Sequence, residues 1–153
     1  MEAKVIGRYL SLGVLAFCCA IGAASESATV EIQGITATDA GKKPVSIPAS
    51  LTRFKDILNS TPYGTFADIG LKQVKLAGGE KSSAAVGKYT VEFTEAKIIH
   101  GTKLRATVTL KEDGKPLGTP LRYWLAKDRP QIIEAGSKDA KTIFVVMLKS
   151  IDQ

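Results

Sequence analysis

The sequence predicts an all-β protein, a sandwich or partly open barrel of about seven to eight short antiparallel strands, with one short α-helix near residues 50–59. Three observations predict it. The run KLRATVTLK (103–111) alternates polar and apolar side chains, as a half-buried strand does. Asp113-Gly114, just beyond it, is a preferred dipeptide of two-residue hairpins. In the stretch SLTRFKDILNSTP (50–62), apolar residues recur at helical spacing instead.

The first 24 residues have the pattern of a secretory signal peptide. Lys4 and Arg8 precede an uncharged run over 10–22, and small residues follow it as far as Ser25. The run is shorter than the roughly 18 residues that a membrane-spanning helix needs. We therefore expect cleavage after Ala24, with cleavage after Ala23 or Ser25 as near alternatives and an uncleaved membrane anchor as the other possibility. Residues 25–153 would form a single β-rich domain, exported to the periplasm or the extracellular space, with no transmembrane anchor after cleavage.

Both cysteines, Cys18 and Cys19, lie in this leader. Phe17 precedes them where a lipoprotein signal wants a small residue, and adjacent cysteines lack the C-x-x-C redox spacing. Cleavage would leave a cysteine-free mature domain. Such a domain can form no disulfide and no thiolate metal site.

The mature chain is basic. Removing Lys4, Arg8 and Glu2 with the leader leaves 19 of the 21 basic and 14 of the 15 acidic residues. A positive balance favours anionic partners, while solubility is the simpler explanation. The basic residues are spread along the chain rather than clustered, which argues against nucleic acid. We expect the partner to be an unknown protein or an anionic envelope polymer.

The elements follow in order from the amino terminus. TVEIQGITAT (29–38) is a strand with a possible bulge at Gly34. The helix has Ser50 as its N-cap and ends at Asn59, and it buries one face made of Leu51, Phe54, Ile57 and Leu58. TFADIGLKQVKL and SSAAVG are two weaker strands separated by the turn AGGEK.

The strongest local pattern runs from Gly87 to Lys127. In KYTVEFTEAKII, Tyr89, Val91 and Phe93 share one face of the strand. At Glu95 the apolar positions switch to Ala96 and Ile98, as they do at a bulge. In the next strand the pattern places Leu104, Ala106, Val108 and Leu110 inward. The hairpin turn pairs Glu112 with Lys115, and this register sets Leu110 against Leu117, Ala106 against Leu121 and Leu104 against Tyr123.

Two prolines mark the returning strand. Neither Pro116 nor Pro120 can donate a ladder hydrogen bond, so we expect this strand to lie at a sheet edge. QIIEAG and KTIFVVMLKS form a closing pair, in which Ile143, Val145 and Met147 could face the core.

The order of these segments carries a resemblance. With its FKDIL helix, YTVEF and KLRATVTL strands and final TIFVVML strand, the stretch from Leu51 to Ile151 resembles a family of small, uncharacterised exported bacterial β-proteins. The final strands are also similar to the strand pairs that close secretin-type outer-membrane domains, with IIEAGSKDA in place of paired glycines. The resemblance implies an exported β-domain and brings no catalytic residue.

The chain shows no motif of a catalytic or cofactor site. His100, the one histidine, lies in a tight turn beside Gly101, where a catalytic base would lack burial. One histidine without mature cysteines makes a poor zinc ligand set. AGGEKSS departs from the phosphate-loop pattern and reads as a hairpin loop. We predict no catalytic residue, no metal and no cofactor.

One surface is a candidate ligand site. In the predicted register, Lys103 opposes Trp124 and Arg105 opposes Arg122 on the outward face of the hairpin. A tryptophan among three bases suits an anionic or sugar-bearing ligand. Alternatively, the helix covers this face with Phe54 and Trp124 is part of the core. The usual burial of tryptophan favours the second alternative.

Three functions remain open. The first is an exported, non-enzymatic β-domain that binds a protein or polymer in the envelope. The second is an assembly component that adds an edge strand to a larger complex. The third is a small hydrolase that uses two carboxylates about 5 to 10 Å apart.

Overall fold

The computed structural model describes residues 26–41, 46–136 and 140–152. The predicted signal peptide, with its two cysteines, lies outside these residues. The described part contains nine strands and one helical segment, a 3₁₀ helix (Ala49–Phe54) that continues into α1 (Lys55–Asn59). The strands are β1 (Ser27–Thr38), β2 (Thr65–Ala77), β3 (Ser82–Val86), β4 (Tyr89–Ile99), β5 (Lys103–Glu112), β6 (Lys115–Pro116), β7 (Leu121–Leu125), β8 (Gln131–Gly136) and β9 (Ala140–Asp152).

The strands form two antiparallel sheets. Sheet A has the order β2-β1-β9-β8, and sheet B has the order β3-β4-β5, with β6 and β7 both pairing with the far side of β5. Neither sheet closes on itself within the described part of the chain. The protein is therefore an all-β sandwich, as the sequence predicts. No helix among the described residues combines the length and the hydropathy that crossing a bilayer demands.

The two sheets bury one core between them. The residues predicted to face inward from β4 and β5 are all buried there, and Ala96 and Ile98 continue the face beyond the predicted switch. From sheet A, alternate residues of β1 and β9 enter the same core: Ala28, Val30, Ile32, Phe144, Val146 and Leu148.

The helical segment covers the other face of sheet A. Leu51, Phe54 and Leu58 pack there against a second set of strand residues, which comprises Ile35, Ala37, Ile143 and Val145, with Met147 beside them. The two central strands are thus buried on both faces, which explains their long apolar runs. The β9 residues expected to face the core, Ile143, Val145 and Met147, pack under the helical segment instead. The residues that alternate with them fill the core between the sheets.

Two expectations about the helical segment are wrong. It does not cover the face that carries Trp124, because Phe54 is buried against the opposite sheet. Ser50 is not the N-cap, since the segment begins after Pro48 and no side chain caps it. The Ser50 side chain instead forms a hydrogen bond with Asp68 of β2, which ties the segment to sheet A.

Both predicted bulges are present. The β1–β2 register shifts between Gly34 and Ile35, and the β4–β5 register shifts between Thr94 and Lys97. At the second bulge, Glu95 adopts a left-handed backbone with φ 52°.

The hairpin after β5 begins as predicted and then departs from the predicted register. Glu112 pairs with Lys115 across the Asp113-Gly114 turn, but farther along Leu104 pairs with Leu125 and Ala106 with Tyr123. The Leu117 N–H still donates to the Leu110 carbonyl, as the predicted pairing requires, and the two-residue shift arises because residues 118–120 leave the ladder around Pro120. An even shift keeps every side chain on its predicted face. β7 pairs with β5 alone among the described strands, so the predicted edge position is confirmed.

Candidate functional site

Basic side chains and one tryptophan share the outer face of sheet B near the β7 edge. We call this surface the basic–aromatic patch; it comprises Lys97, Lys103, Arg105, Arg122, Trp124 and Arg129. All four ligand-site residues predicted from the sequence belong to it. They lie on one face because β5 and β7 each alternate, and the inward alternate residues are held by the core.

Trp124 lies on the surface. Its side chain is 51% exposed, so the expectation of a core tryptophan is wrong. The physical reason is the position of the helical segment, which covers sheet A and leaves the outer face of sheet B open. Burial of Trp124 would need a covering element that this face does not receive in the described part of the chain.

A row of three side chains crosses the sheet at the patch. Lys97 pairs directly with Arg105, and Arg105 pairs directly with Trp124. The guanidinium carbon of Arg105 lies 5.9 Å from the centre of the Trp124 ring, within cation–π range. Two like charges directly opposite each other on a sheet are destabilising. The predicted pairs Lys103–Trp124 and Arg105–Arg122 do not form, because of the two-residue shift.

An open depression of about 250 Å³ adjoins the tryptophan. Lys103, Arg129 and Gln131 line it together with Trp124. A bridge between Ala126 and Arg129 turns the chain back and brings Arg129 to this place. Lys103 and Arg129 form no ion pair within the described part of the chain, so both cations are available to an anion.

Glu95 supplies a counter-charge at the far side of the patch. Its carboxylate accepts a hydrogen bond of 2.7 Å from the Thr107 hydroxyl and lies 3.6 Å from the Arg122 guanidinium. The Thr107 hydrogen bond, together with Arg122, holds the pKa of Glu95 below its ordinary value. Arg122 is therefore already paired, whereas Lys103 and Arg129 have no such partner within the described residues.

A larger cavity of about 650 Å³ lies beyond Arg105 and Lys97, and three glutamates line it: Glu26, Glu80 and Glu95. A glycosidase general acid needs a raised pKa, whereas the pKa of Glu95 is lowered. No group of three or more histidine, cysteine or acidic residues in the described chain is placed to hold a metal ion. His100 is exposed in the turn between β4 and β5, as predicted.

A second charged cluster lies under the helical segment on sheet A. The Glu31 side chain is buried, and its carboxylate is 2.6 Å from Arg53 and 3.5 Å from Lys149. Burial raises the pKa of Glu31, but a hydrogen bond from Gln73 and the two cations outweigh it, so the pKa lies below its ordinary value. Arg53 also stacks on Phe54, 4.5 Å from the ring centre. This cluster holds the helical segment to the sheet.

Sequence reasoning missed two residues of the basic–aromatic patch. Lys97 lies opposite Arg105 because the bulge at Glu95 shifts the β4–β5 register. The sequence indicates that a bulge occurs there but not how many residues it adds, so the partner of Lys97 cannot be predicted. Arg129 follows a tight turn whose closure depends on the Ala126 bridge. The signal that could have found it is Pro130, which limits how far that loop can extend.

Comparison with known proteins found no matching family model, no matching curated protein and no matching solved structure.

Proposed function

We propose that this chain is an exported, non-enzymatic β-sandwich that binds an anionic polysaccharide of the bacterial envelope through the basic–aromatic patch. The observation that carries the proposal is the Lys97–Arg105–Trp124 row, in which two cations directly oppose each other beside a half-exposed indole. An anionic group bound over the row would relieve the repulsion between Lys97 and Arg105.

The composition of the patch favours a glycan over a nucleic acid. An exposed indole offers a flat apolar face on which a sugar ring can stack, while the cations beside it bind carboxylate or sulfate groups. A nucleic-acid surface needs a continuous basic footprint. Here Glu95 pairs with Arg122, and Glu26 and Glu80 line the adjoining cavity. These three glutamates interrupt the positive surface, so it is not a continuous footprint.

Export supports the same proposal. The sequence pattern of residues 1–24 is that of a secretory signal peptide, and acidic polymers of the envelope would be the anions that an exported basic domain meets. N-terminal sequencing of the protein recovered from a secreting bacterial host should begin at or next to Ser25. A product that starts at Met1 and stays in the cytosol would contradict export.

Retention on immobilised heparin, with uncharged dextran as the blank matrix, tests the binding proposal. We expect Trp124→Ala and Arg105→Gln each to lower the affinity for heparin by roughly 10-fold. Lys72→Gln removes an equal charge from an exposed position on β2 and is the matched control. Unchanged retention of both patch variants, or tighter binding to duplex DNA than to heparin, would contradict the proposal.

A stability measurement separates loss of binding from loss of folding. Because Trp124 is 51% exposed, we expect Trp124→Ala to change the free energy of unfolding by less than about 1 kcal/mol. Retention should also decline as salt is added, because salt screens the attraction between exposed charges, with a screening length of about 10 Å at 0.1 M ionic strength.

A further inference from the structure

The edge formed by β7 carries an unusual share of exposed apolar surface. Leu117, Leu121 and Trp124 are exposed to 38%, 54% and 51%, respectively, and all three lie on or next to this one strand. Exposed apolar edge strands pair readily with another strand, so proteins usually protect them with charges or bulges. β7 has one charged side chain, Arg122, and that guanidinium is already paired with Glu95 on the outer face.

The other three sheet edges, formed by β2, β3 and β8, are protected or unsuited to pairing. β2 exposes Lys72 and Lys75 and has a shifted register beside Gly34. β3 is short and has small side chains, SSAAV. β8 exposes Glu134. β7 is therefore the edge that would gain the most apolar burial from an added strand.

The sequence of β7 matches itself in the antiparallel direction. Leu121-Arg122-Tyr123-Trp124-Leu125 has apolar residues at both ends and an aromatic residue at its centre. With a two-fold axis at Tyr123, Leu121 faces Leu125 of the second copy, and Arg122 faces Trp124 of the second copy. No like charges are opposed, and a cation–π pair forms twice across the axis. Moving the axis to Arg122 would instead oppose two arginines.

We propose that two copies of this chain associate through β7, antiparallel and centred on Tyr123, so that sheet B continues from one copy into the other. A two-fold interface uses the same surface of both copies, which the self-complementary strand provides. An opening of about 440 Å³ between β7 and β8 is lined at its base by the core residues Val108 and Leu110. Leu117 and Leu121 border this opening, and a strand beside β7 would shield it.

The dimer goes beyond the proposed ligand and does not depend on it. Pairing occupies the backbone edge of β7 and leaves the outer face of sheet B open in both copies. The two basic–aromatic patches would then lie side by side on one continuous surface. A long anionic chain could engage both patches at once, which raises affinity without a new contact.

Sedimentation velocity over a range of micromolar concentrations tests the dimer. We expect the purified protein to dimerise and Leu121→Lys to raise the dissociation constant of the dimer by roughly 100-fold, because each dimer carries the substitution twice. Leu71→Lys is the matched control, a leucine exposed to 45% on the edge strand β2. A monomer at every concentration, or equal effects of the two variants, would overturn the proposal.

Cross-linking tests the register. A cysteine at Tyr123 would meet its own counterpart at the axis, so Tyr123→Cys should form a disulfide-linked dimer under mild oxidation. A dimer that Leu121→Lys disrupts but that Tyr123→Cys cannot cross-link would overturn the Tyr123-centred pairing. Heparin retention of Leu121→Lys separates the two proposals, since a monomer with an intact patch still binds while a failed patch does not.

Discussion

Gly34 of the central strand β1 packs against Val86 of sheet B, and replacing it with alanine tests how tightly the sandwich is packed. An ideal Cβ at Gly34 would lie 2.3 Å from Cγ1 of Val86 and 2.8 Å from Cγ1 of Ile69. Carbon atoms in contact prefer about 3.5–4.0 Å, so each neighbour would have to move by about 1 Å. Val86 is 1% exposed and, as a β-branched residue, has little rotamer freedom.

Overpacking of this kind costs about 1–3 kcal/mol. We expect Gly34→Ala to lower the urea midpoint by roughly 1 M, with an unchanged dependence of the unfolding free energy on urea. Gly78→Ala is the control, because its new Cβ would meet nothing within 4 Å. If Gly34→Ala is as harmless as Gly78→Ala, the close approach of β1 to β3 is refuted.

A double variant identifies the clash. Val86→Ala removes the Cγ1 atom that the new methyl group would strike. We therefore expect Gly34→Ala with Val86→Ala to cost less than the sum of the two single variants, by about 0.5–3 kcal/mol. Strict additivity would mean that the destabilisation arises from the contact with Ile69 or from the β1 backbone instead.

Three further predictions concern stability. Phe54→Ala should lower the free energy of unfolding by about 3–5 kcal/mol. A decrease as small as that expected for Trp124→Ala would refute the packing of the helical segment against sheet A. The pKa of Glu31 is lower in the folded chain than its ordinary value of 4.5. Ionised Glu31 therefore contributes fully to the free energy of unfolding above pH 4.5, and this contribution is lost as the pH falls through the lowered pKa. Glu31→Gln should flatten this acid decline in a pH series of melting temperatures, and an unchanged decline would contradict it. Gly114→Ala should cost about 1 kcal/mol because its φ is 77°; no change in melting temperature would refute the strained turn.

The sequence was sufficient to predict the elements because their signals are local. The alternation in β5 reflects one buried and one exposed face, and the Asp113-Gly114 turn has both residues at positive φ, as its type requires. Both bulges appear where the apolar pattern breaks. These features depend on neighbours within a few residues along the chain, and such neighbours are visible in a sequence.

The position of the helical segment could not be predicted in the same way. An apolar face containing Phe54 fits either sheet, and the choice depends on which strands are central. β1 and β9 offer a second apolar face that accepts the segment, together with buried Glu31, which pairs with Arg53. Whether Trp124 is on the surface or in the core depends on the same choice, and the usual burial of tryptophan favours the wrong alternative. The four predicted ligand-site residues still share one face, because a register error of two residues leaves every side chain on the same side of the sheet.

The pairing of β1 with β9 has a consequence for how the chain folds. These strands pair from Ser27 with Asp152 to Thr38 with Ala140, so one of the two longest strand pairings joins segments more than 100 residues apart in sequence. Such non-local topology slows folding, because the chain loses the entropy of closing a long loop before the strand contacts can stabilise it. During synthesis, β1 lacks one of its two neighbours until β9 has emerged, and both cores remain incomplete. Sheet A would therefore stay incomplete until β9 is made, and its apolar strands would be open to a protease or to aggregation in the meantime.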